Sequence, residues 1–186
     1  MTNDQTNIVS LLRPRLSFPP QFNVYALEID DAMDTDILTH LPGAVRWVEE
    51  ALSRRAARIE DGQQADNTKK GSVLVHCQAG VSRSSTVVAA CLMRAKDLDP
   101  VEAVELIRQQ RAHVEYVPFR SGTKMLINSP SETFWKQLEL YHASNGKVSL
   151  KDRSTRKFYM ERTTTKFISE SHTLLAVISA DGRRRR

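Results

Sequence analysis

The chain has 186 residues, of which 40% are hydrophobic and 26% are charged, a balance typical of one globular domain with polar tails. Its net charge is +5, but four of these charges belong to the run Arg183–Arg186, which leaves +1 for the rest of the chain. The basic balance therefore gives little support for direct nucleic-acid binding. Two cysteines exclude a disulfide framework and favour a reducing compartment. Because neither a signal peptide nor a bilayer-length apolar run is visible, we expect a cytoplasmic or nuclear protein without membrane contact.

Two apolar runs near the start of the chain predict buried strands. They cover residues 7–12 and 22–29, and the prolines at Pro19 and Pro20 predict a loop between them. Helical patterns and a third apolar run follow, which is typical of an α/β protein with a mainly parallel sheet flanked by helices. In such sheets ligand chemistry takes place at the carboxyl ends of the strands.

An acidic cluster follows the second strand directly. Asp30 and Asp31 come first, and Asp34 and Asp36 fit the first turn of the next helix, where a carboxylate suits the helix dipole. The placement favours an acid that can donate and accept a proton in a cleft. A solvated acidic loop is the alternative interpretation.

Residues 36–59 predict a helix that Pro42 and Gly43 divide into a short first turn and a longer second part. Its apolar residues recur at helical spacing and are expected to be buried, namely Leu38, Leu41, Val45, Val48 and Leu52. Residues 61–70 are polar and predict a surface loop.

Residues 72–86 predict a strand, a tight loop and a helix start in immediate succession. The apolar run 72–75 leads to Cys77, and Gly80 and Arg83 follow within six positions of Cys77. Several backbone N–H groups and a helix N-terminus then converge on one point, which binds phosphate without any side chain. The same point lowers the pKa of a thiol, and the planar guanidinium of Arg83 can hold two phosphate oxygens. The pattern predicts a cysteine nucleophile that attacks phosphate esters, with a buried structural cysteine in a turn as the alternative.

The second half of the chain predicts three further helices after the buried helix 84–96. Asp99 and Pro100 fit the start of the first, whose buried side is expected to comprise Val101, Val104, Leu106 and Ile107. Residues 134–142 predict the second, ended by Asn145 and Gly146, and residues 151–162 predict a short basic amphipathic helix.

The run from His76 to Ser84 resembles the phosphate loop of dual-specificity protein phosphatases, and Ala90–Met93 resembles the segment that follows it in that family. The resemblance implies the dual-specificity-phosphatase fold, here short of its first strand and therefore with an exposed sheet edge. More narrowly, residues 134–162 resemble the YVH-type subfamily, whose members carry a cysteine-rich zinc domain after this point and are associated with ribosome assembly. Thr163–Arg186 contains no cysteine, so no zinc module is expected there.

The resemblance also assigns roles within the site. Cys77 is the nucleophile, Arg83 binds the phosphoryl group, His76 orients Cys77, and Ser84 assists departure of the thiolate. Asp31 is placed at the general-acid position, with Asp30 as the runner-up. The loop residues expected to surround the phosphate are Gln78, Ala79, Gly80, Val81, Ser82 and Arg83.

The resemblance implies hydrolysis of phosphotyrosine, phosphoserine or phosphothreonine in proteins through a phospho-cysteine intermediate. Lipid-directed relatives carry lysines in the loop where Gln78 and Val81 stand here, which favours a phosphoprotein over a phosphoinositide. No metal or other cofactor is expected, since Arg83 and the loop amides supply positive charge. The alternative function is a catalytically impaired phosphatase-like scaffold linked to pre-ribosomal particles.

The predicted domain organisation has three parts. A catalytic domain covers residues 7–145 and contains an insertion at about 114–131, a departure from the family pattern. A short helical extension follows at 146–162. Residues 163–186 form a tail that is expected to be disordered.

Overall fold

The computed structural model describes residues 6–32, 34–60, 72–110, 131–165 and 167–168, and for residues 54–60 it describes the backbone alone. Three predictions lie outside these residues: the surface loop 61–70, nearly all of the insertion 114–131, and the predicted tail beyond residue 168 with its Arg183–Arg186 run. The fold divides into two compact units, Met1–Lys147 and Val148–Arg186. The predicted domain boundaries at 145 and 162 stay predictions.

The first unit contains three strands and four helices among its described residues. In chain order these are β1 (Asn7–Leu11), β2 (Asn23–Leu27), α1 (Leu41–Glu60), β3 (Val73–His76), α2 (Arg83–Lys96), α3 (Pro100–Gln110) and α4 (Glu132–Ala143). The strands pair in parallel in the order β2-β1-β3. The predicted α/β class with a parallel sheet and flanking helices is confirmed.

The strand register places the segments that follow the three strands side by side at the carboxyl end of the sheet. Leu11 pairs with Leu27, and Ser10 pairs with His76, so all three strands end side by side. The acidic cluster therefore leaves the sheet beside the Cys77 loop, as the rule for parallel sheets predicts. β3 lies at the edge of the sheet formed by the described strands, and Leu74 on it is 54% exposed.

Helix α2 occupies the centre of the helical layer. It packs against α1, α3, α4 and β3, and its residues from Arg83 to Val87 are all buried. An apolar sequence on nearly all sides predicts such a central helix, and this prediction is confirmed.

Two predicted core positions are wrong. Leu52 on α1 is 42% exposed and Val101 on α3 is 45% exposed, whereas the other apolar residues of the two predicted sets are buried or half-buried. Periodicity identifies a helix face, but the width of the buried stripe depends on what packs against it. On α3 that stripe consists of Ala103, Val104 and Ile107, with Pro100 at its start.

The helix boundaries follow the predicted local signals. Asp99 Oδ1 accepts from the Glu102 N–H at 2.8 Å and Glu102 Oε2 accepts from the Asp99 N–H at 2.9 Å, a capping box before α3. A short turn at 37–41 precedes α1, with Pro42 in the first turn of the helix. After α4, Asn145 and Gly146 have φ angles of 50° and 72° and end the helix as predicted.

The second unit contains a helix over residues 153–165, begun by Asp152, whose Oδ2 accepts from the Thr155 N–H at 2.8 Å. The short basic helix predicted at 151–162 is therefore present and extends to residue 165.

Among the described residues, no helix combines the length and apolar character needed to cross a membrane.

Candidate active site

The phosphate loop connects the end of β3 to the start of α2. Cys77 follows β3 directly, and α2 begins at Arg83. Gly80 has a φ of 71°, in the left-handed region that only glycine adopts without cost, so the loop can turn sharply here. The side chains of Gln78 and Ala79 are exposed, and those of Ser82, Arg83 and Ser84 are buried. The predicted strand, loop and helix are all present.

Cys77 is surrounded by groups that stabilise a thiolate. Its side chain is 8% exposed, and Sγ lies 3.3 Å from the Ser84 hydroxyl. Burial alone raises the pKa of Cys77, but the side chain and backbone N–H of Ser84, the backbone N–H of Gly80 and the charge of Arg83 together outweigh it. The pKa of Cys77 is therefore below its ordinary value, as a nucleophilic cysteine requires.

Arg83 is buried, and the ends of the strands fix its orientation. Its Nη1 donates to the carbonyl oxygens of Leu11 at 3.2 Å and Ile29 at 2.8 Å. Its Nε is buried and has no hydrogen-bond partner among the described residues. A buried donor without a partner costs free energy, and it is an unusual feature unless a ligand uses it.

The two candidate acids have different partners. Asp31 Oδ1 accepts from the Ser82 hydroxyl at 2.9 Å, and Asp31 Oδ2 lies 3.9 Å from Arg83 Nε. Asp30 instead pairs with Arg13 at 3.1 Å, in an ion pair whose side chains are about half exposed. The structure therefore brings Asp31 into contact with the phosphate loop, whereas Asp30 contacts Arg13. The catalytic assignment of Asp31 over Asp30 is taken up as a proposal below.

The structure also gives the surroundings of Asp36, His76 and Cys91. Asp36 Oδ1 accepts from the Thr39 N–H at 3.2 Å, but α1 begins only at Leu41 and has no acidic residue in its first turn, so the prediction that Asp34 and Asp36 lie in that turn is wrong. The His76 ring packs edge-on against Phe18, with centroids 6.0 Å apart. Its role in orienting Cys77 stays a prediction. Cys91 on α2 is half-buried, and burial, followed by the charge of Glu49, raises its pKa to about 12.

The sequence does not predict that the start of α4 contacts the phosphate loop. The backbone N–H of Ser131, the N-cap residue of α4, donates to the Ser82 hydroxyl at 3.2 Å. Because Ser82 Oγ accepts this bond, its own proton is directed at Asp31. A serine before a helical pattern indicates a cap, but no sequence pattern gives the partner of its backbone N–H.

The chain is similar in sequence to known protein phosphatases. The family model described as "Dual specificity phosphatase, catalytic domain" matches residues 6–144. The tyrosine-protein phosphatase yvh1 of Schizosaccharomyces pombe is 30% identical over 155 residues, which cover 83% of this chain and 37% of that protein. The dual specificity protein phosphatase MPK-4 of Drosophila melanogaster is 32% identical over 122 residues, covering 66% of this chain and 24% of that one. The chain thus spans about a quarter to a third of the length of these relatives.

Solved structures show the same fold at lower identity. The Yvh1 phosphatase domain of Chaetomium thermophilum is 24% identical with a TM-score of 0.54, over 76% of this chain and 80% of that one. Human DUSP28 is 24% identical with a TM-score of 0.55, over 77% and 80% of the two chains. These structures show the fold, and the family match over residues 6–144 shows that the chain belongs to the dual specificity phosphatase catalytic domain family.

Proposed function

We propose that this chain is a cysteine-dependent protein phosphatase that acts through a phospho-cysteine intermediate. The observation that carries the proposal is the meeting of Asp31, Ser82 and Arg83 at the loop that holds Cys77. This arrangement supplies a nucleophile, a fixed cation and a carboxyl group at one point.

The first step transfers the phosphoryl group to the enzyme. The Cys77 thiolate attacks phosphorus, an S–P bond forms, and the ester P–O bond breaks. Asp31 gives its proton to the leaving oxygen, while Arg83 and the loop amides bind the oxygens that carry the developing charge. Arg83 Nε fits this task, since Nη1 is occupied by Leu11 and Ile29.

The second step returns the enzyme to its starting state. Water attacks phosphorus, Asp31 takes a proton from it, and the S–P bond breaks with the electron pair left on Sγ. The Ser84 hydroxyl, 3.3 Å from Sγ, stabilises the departing thiolate. Inorganic phosphate leaves.

We infer that the substrate is a phosphoprotein. The support is the family, together with the exposed, uncharged Gln78 on the loop where lipid-directed relatives carry lysine. The relatives named Yvh1 are described by those names as phosphatases, so an association with ribosome assembly stays a prediction. Location in cytoplasm or nucleus likewise stays a prediction.

Hydrolysis of an aryl phosphate by Cys77→Ser tests the proposal. We expect turnover to fall by at least about 10³-fold, as for removal of other nucleophiles, while Cys91→Ser remains within about 2-fold of wild type. A Cys77→Ser variant that retains turnover would contradict the mechanism.

Vanadate should raise the unfolding temperature of wild type and not of Arg83→Lys, because lysine lacks the planar fork. A vanadate shift in a wild-type protein without turnover would favour the scaffold alternative.

A further inference from the structure

Gln137 connects α4 to the loop that carries Asp31. Its side chain is 0% exposed, and its Oε1 accepts from the backbone N–H groups of Ile37 at 2.8 Å and Leu38 at 2.9 Å. Its Nε2 donates to the Thr35 carbonyl at 2.9 Å. One buried carboxamide therefore fixes three backbone groups within four consecutive residues.

Only a carboxamide satisfies all three groups from this position. A glutamine supplies an acceptor with two lone pairs and an N–H donor, whereas a glutamate lacks the donor and a leucine lacks both. Loss of the carboxamide leaves buried N–H and C=O groups unpaired, which costs more than the bonds themselves contribute.

The Asp31 loop is thereby held at both of its ends. At the end near β2, the Ile29 carbonyl accepts from Arg83 Nη1 at 2.8 Å. At the other end, Gln137 holds Thr35, Ile37 and Leu38. Asp31 lies between these two anchors. Arg83, next to the phosphate loop, provides the first, and Gln137 on α4 provides the second.

A second hydrogen-bonded path connects the start of α4 to Asp31 through Ser82. The Ser131 N–H at the start of α4 donates to Ser82 Oγ, and Ser82 Oγ donates to Asp31 Oδ1. Hydrogen bonds from the start and from the middle of α4 therefore both lead to the loop that carries Asp31.

We propose that Gln137 is a positioning residue that holds Asp31 at proton-transfer distance from the leaving oxygen. The inference rests on the proposed function and extends it to a residue of α4 that lies outside the phosphate loop. Its physical basis is that proton transfer needs a precise separation of donor and acceptor, so a small displacement of the loop lowers the rate steeply.

The experiment compares two aryl phosphates by kcat/KM, which reports the first phosphoryl transfer. Phenyl phosphate has a poor leaving group and needs the acid, whereas 2,4-dinitrophenyl phosphate has a good one and does not. For Gln137→Leu we expect kcat/KM to fall by about 10-fold or more with phenyl phosphate and by less than about 3-fold with dinitrophenyl phosphate. Equal losses with both esters would overturn the positioning role.

Two further variants keep the test decisive. Gln137→Met keeps the length and apolar packing of the side chain and removes all three hydrogen bonds, so it tests the same selectivity if Gln137→Leu does not fold. Leu138→Ala is the matched control, since Leu138 is the next residue of α4 and is also 0% exposed. Leu138→Ala should lower the unfolding temperature and change kcat/KM by the same factor with both esters. A Leu138→Ala variant with the same selectivity as Gln137→Leu would overturn the assignment.

Two readouts separate this proposal from the proposed function. Amide exchange at Ile37 and Leu38 should accelerate in Gln137→Leu relative to the rest of the loop, which tests the contact without catalysis. In an Asp31→Asn background, Gln137→Leu should cause no further loss with phenyl phosphate, and additive losses would overturn the positioning role. A wild-type protein inactive on both esters would overturn the proposed function and the role of Gln137 in it, whereas an active wild type with additive losses overturns the latter alone.

Discussion

The Ser82 hydroxyl donates to Asp31 Oδ1 at 2.9 Å, although 51 positions separate the two residues in the chain. This bond joins the loop after β2 to the loop after β3. It places a carboxyl group beside Arg83, whose buried Nε lies 3.9 Å from Asp31 Oδ2. The proposed acid and the proposed phosphate site are therefore adjacent in the folded chain.

Replacement of the adjacent aspartates should distinguish them. We expect Asp31→Asn to lower kcat/KM with phenyl phosphate by about 10²-fold or more, because the leaving oxygen loses its proton donor. Asp30→Asn should stay within about 2-fold, since it breaks only an exposed ion pair with Arg13. Steady-state kinetics of the two variants provide the measurement. A larger loss in Asp30→Asn would transfer the acid role to Asp30.

Removal of the Ser82 hydroxyl should have a smaller effect of the same kind. Ser82→Ala removes the hydrogen bond to Asp31 Oδ1 and leaves the carboxyl group beside Arg83. We expect kcat/KM with phenyl phosphate to fall about 3- to 10-fold, equivalent to one hydrogen bond of about 1 kcal/mol. Ser82→Thr keeps a hydroxyl and should recover most of the activity. Full activity in Ser82→Ala would show that the bond to Asp31 does not matter for turnover.

The pKa of Cys77 predicts the pH dependence of its alkylation. Thiolate reacts with iodoacetamide, so the rate rises with pH and levels off above the pKa, which lies below the ordinary cysteine value here. Ser84→Ala removes the strongest of the groups that lower this pKa, so the curve should move to higher pH. Peptide mass spectrometry of the alkylated protein gives the rate at each pH.

Cys91 serves as the internal control for that experiment. Burial raises its pKa to about 12, so Cys91 should stay unmodified at neutral pH while Cys77 reacts. A Cys91→Ser protein should give the wild-type curve for Cys77. Faster alkylation of Cys91 than of Cys77 would contradict the assigned environments.

Two glycines with similar backbone angles allow a matched test of the loop. Gly80 and Gly146 have φ of 71° and 72°, and alanine at either position should cost about 1 to 2 kcal/mol of folding free energy. At Gly146 the added Cβ would also lie 3.1 Å from the Tyr141 hydroxyl. Denaturant unfolding should therefore show a loss for both variants. Only Gly80→Ala should also slow Cys77 alkylation at neutral pH, because the Gly80 amide helps to lower the pKa of Cys77.

Features determined by residues close together in the chain could be predicted from the sequence. Cys77, Gly80 and Arg83 lie within the short segment that leads from the end of β3 to the first residue of α2, so their spacing alone predicts that they meet. The capping box of Asp99 and Glu102 and the stop at Asn145 and Gly146 are equally local. In each case a few backbone angles and short side chains determine the outcome.

Contacts between distant segments required the tertiary structure. Asp30 and Asp31 are neighbours of the same type, and which one reaches the phosphate loop depends on Arg13 and Ser82, which belong to other segments. The hydrogen bonds of Gln137 to Ile37 and Leu38 span about a hundred positions. The sequence by itself thus determined the loop and its nucleophile. Only the packing of α4 and the strand ends decided which carboxyl group faces that loop, because the partners that orient it are contributed by other elements of the fold.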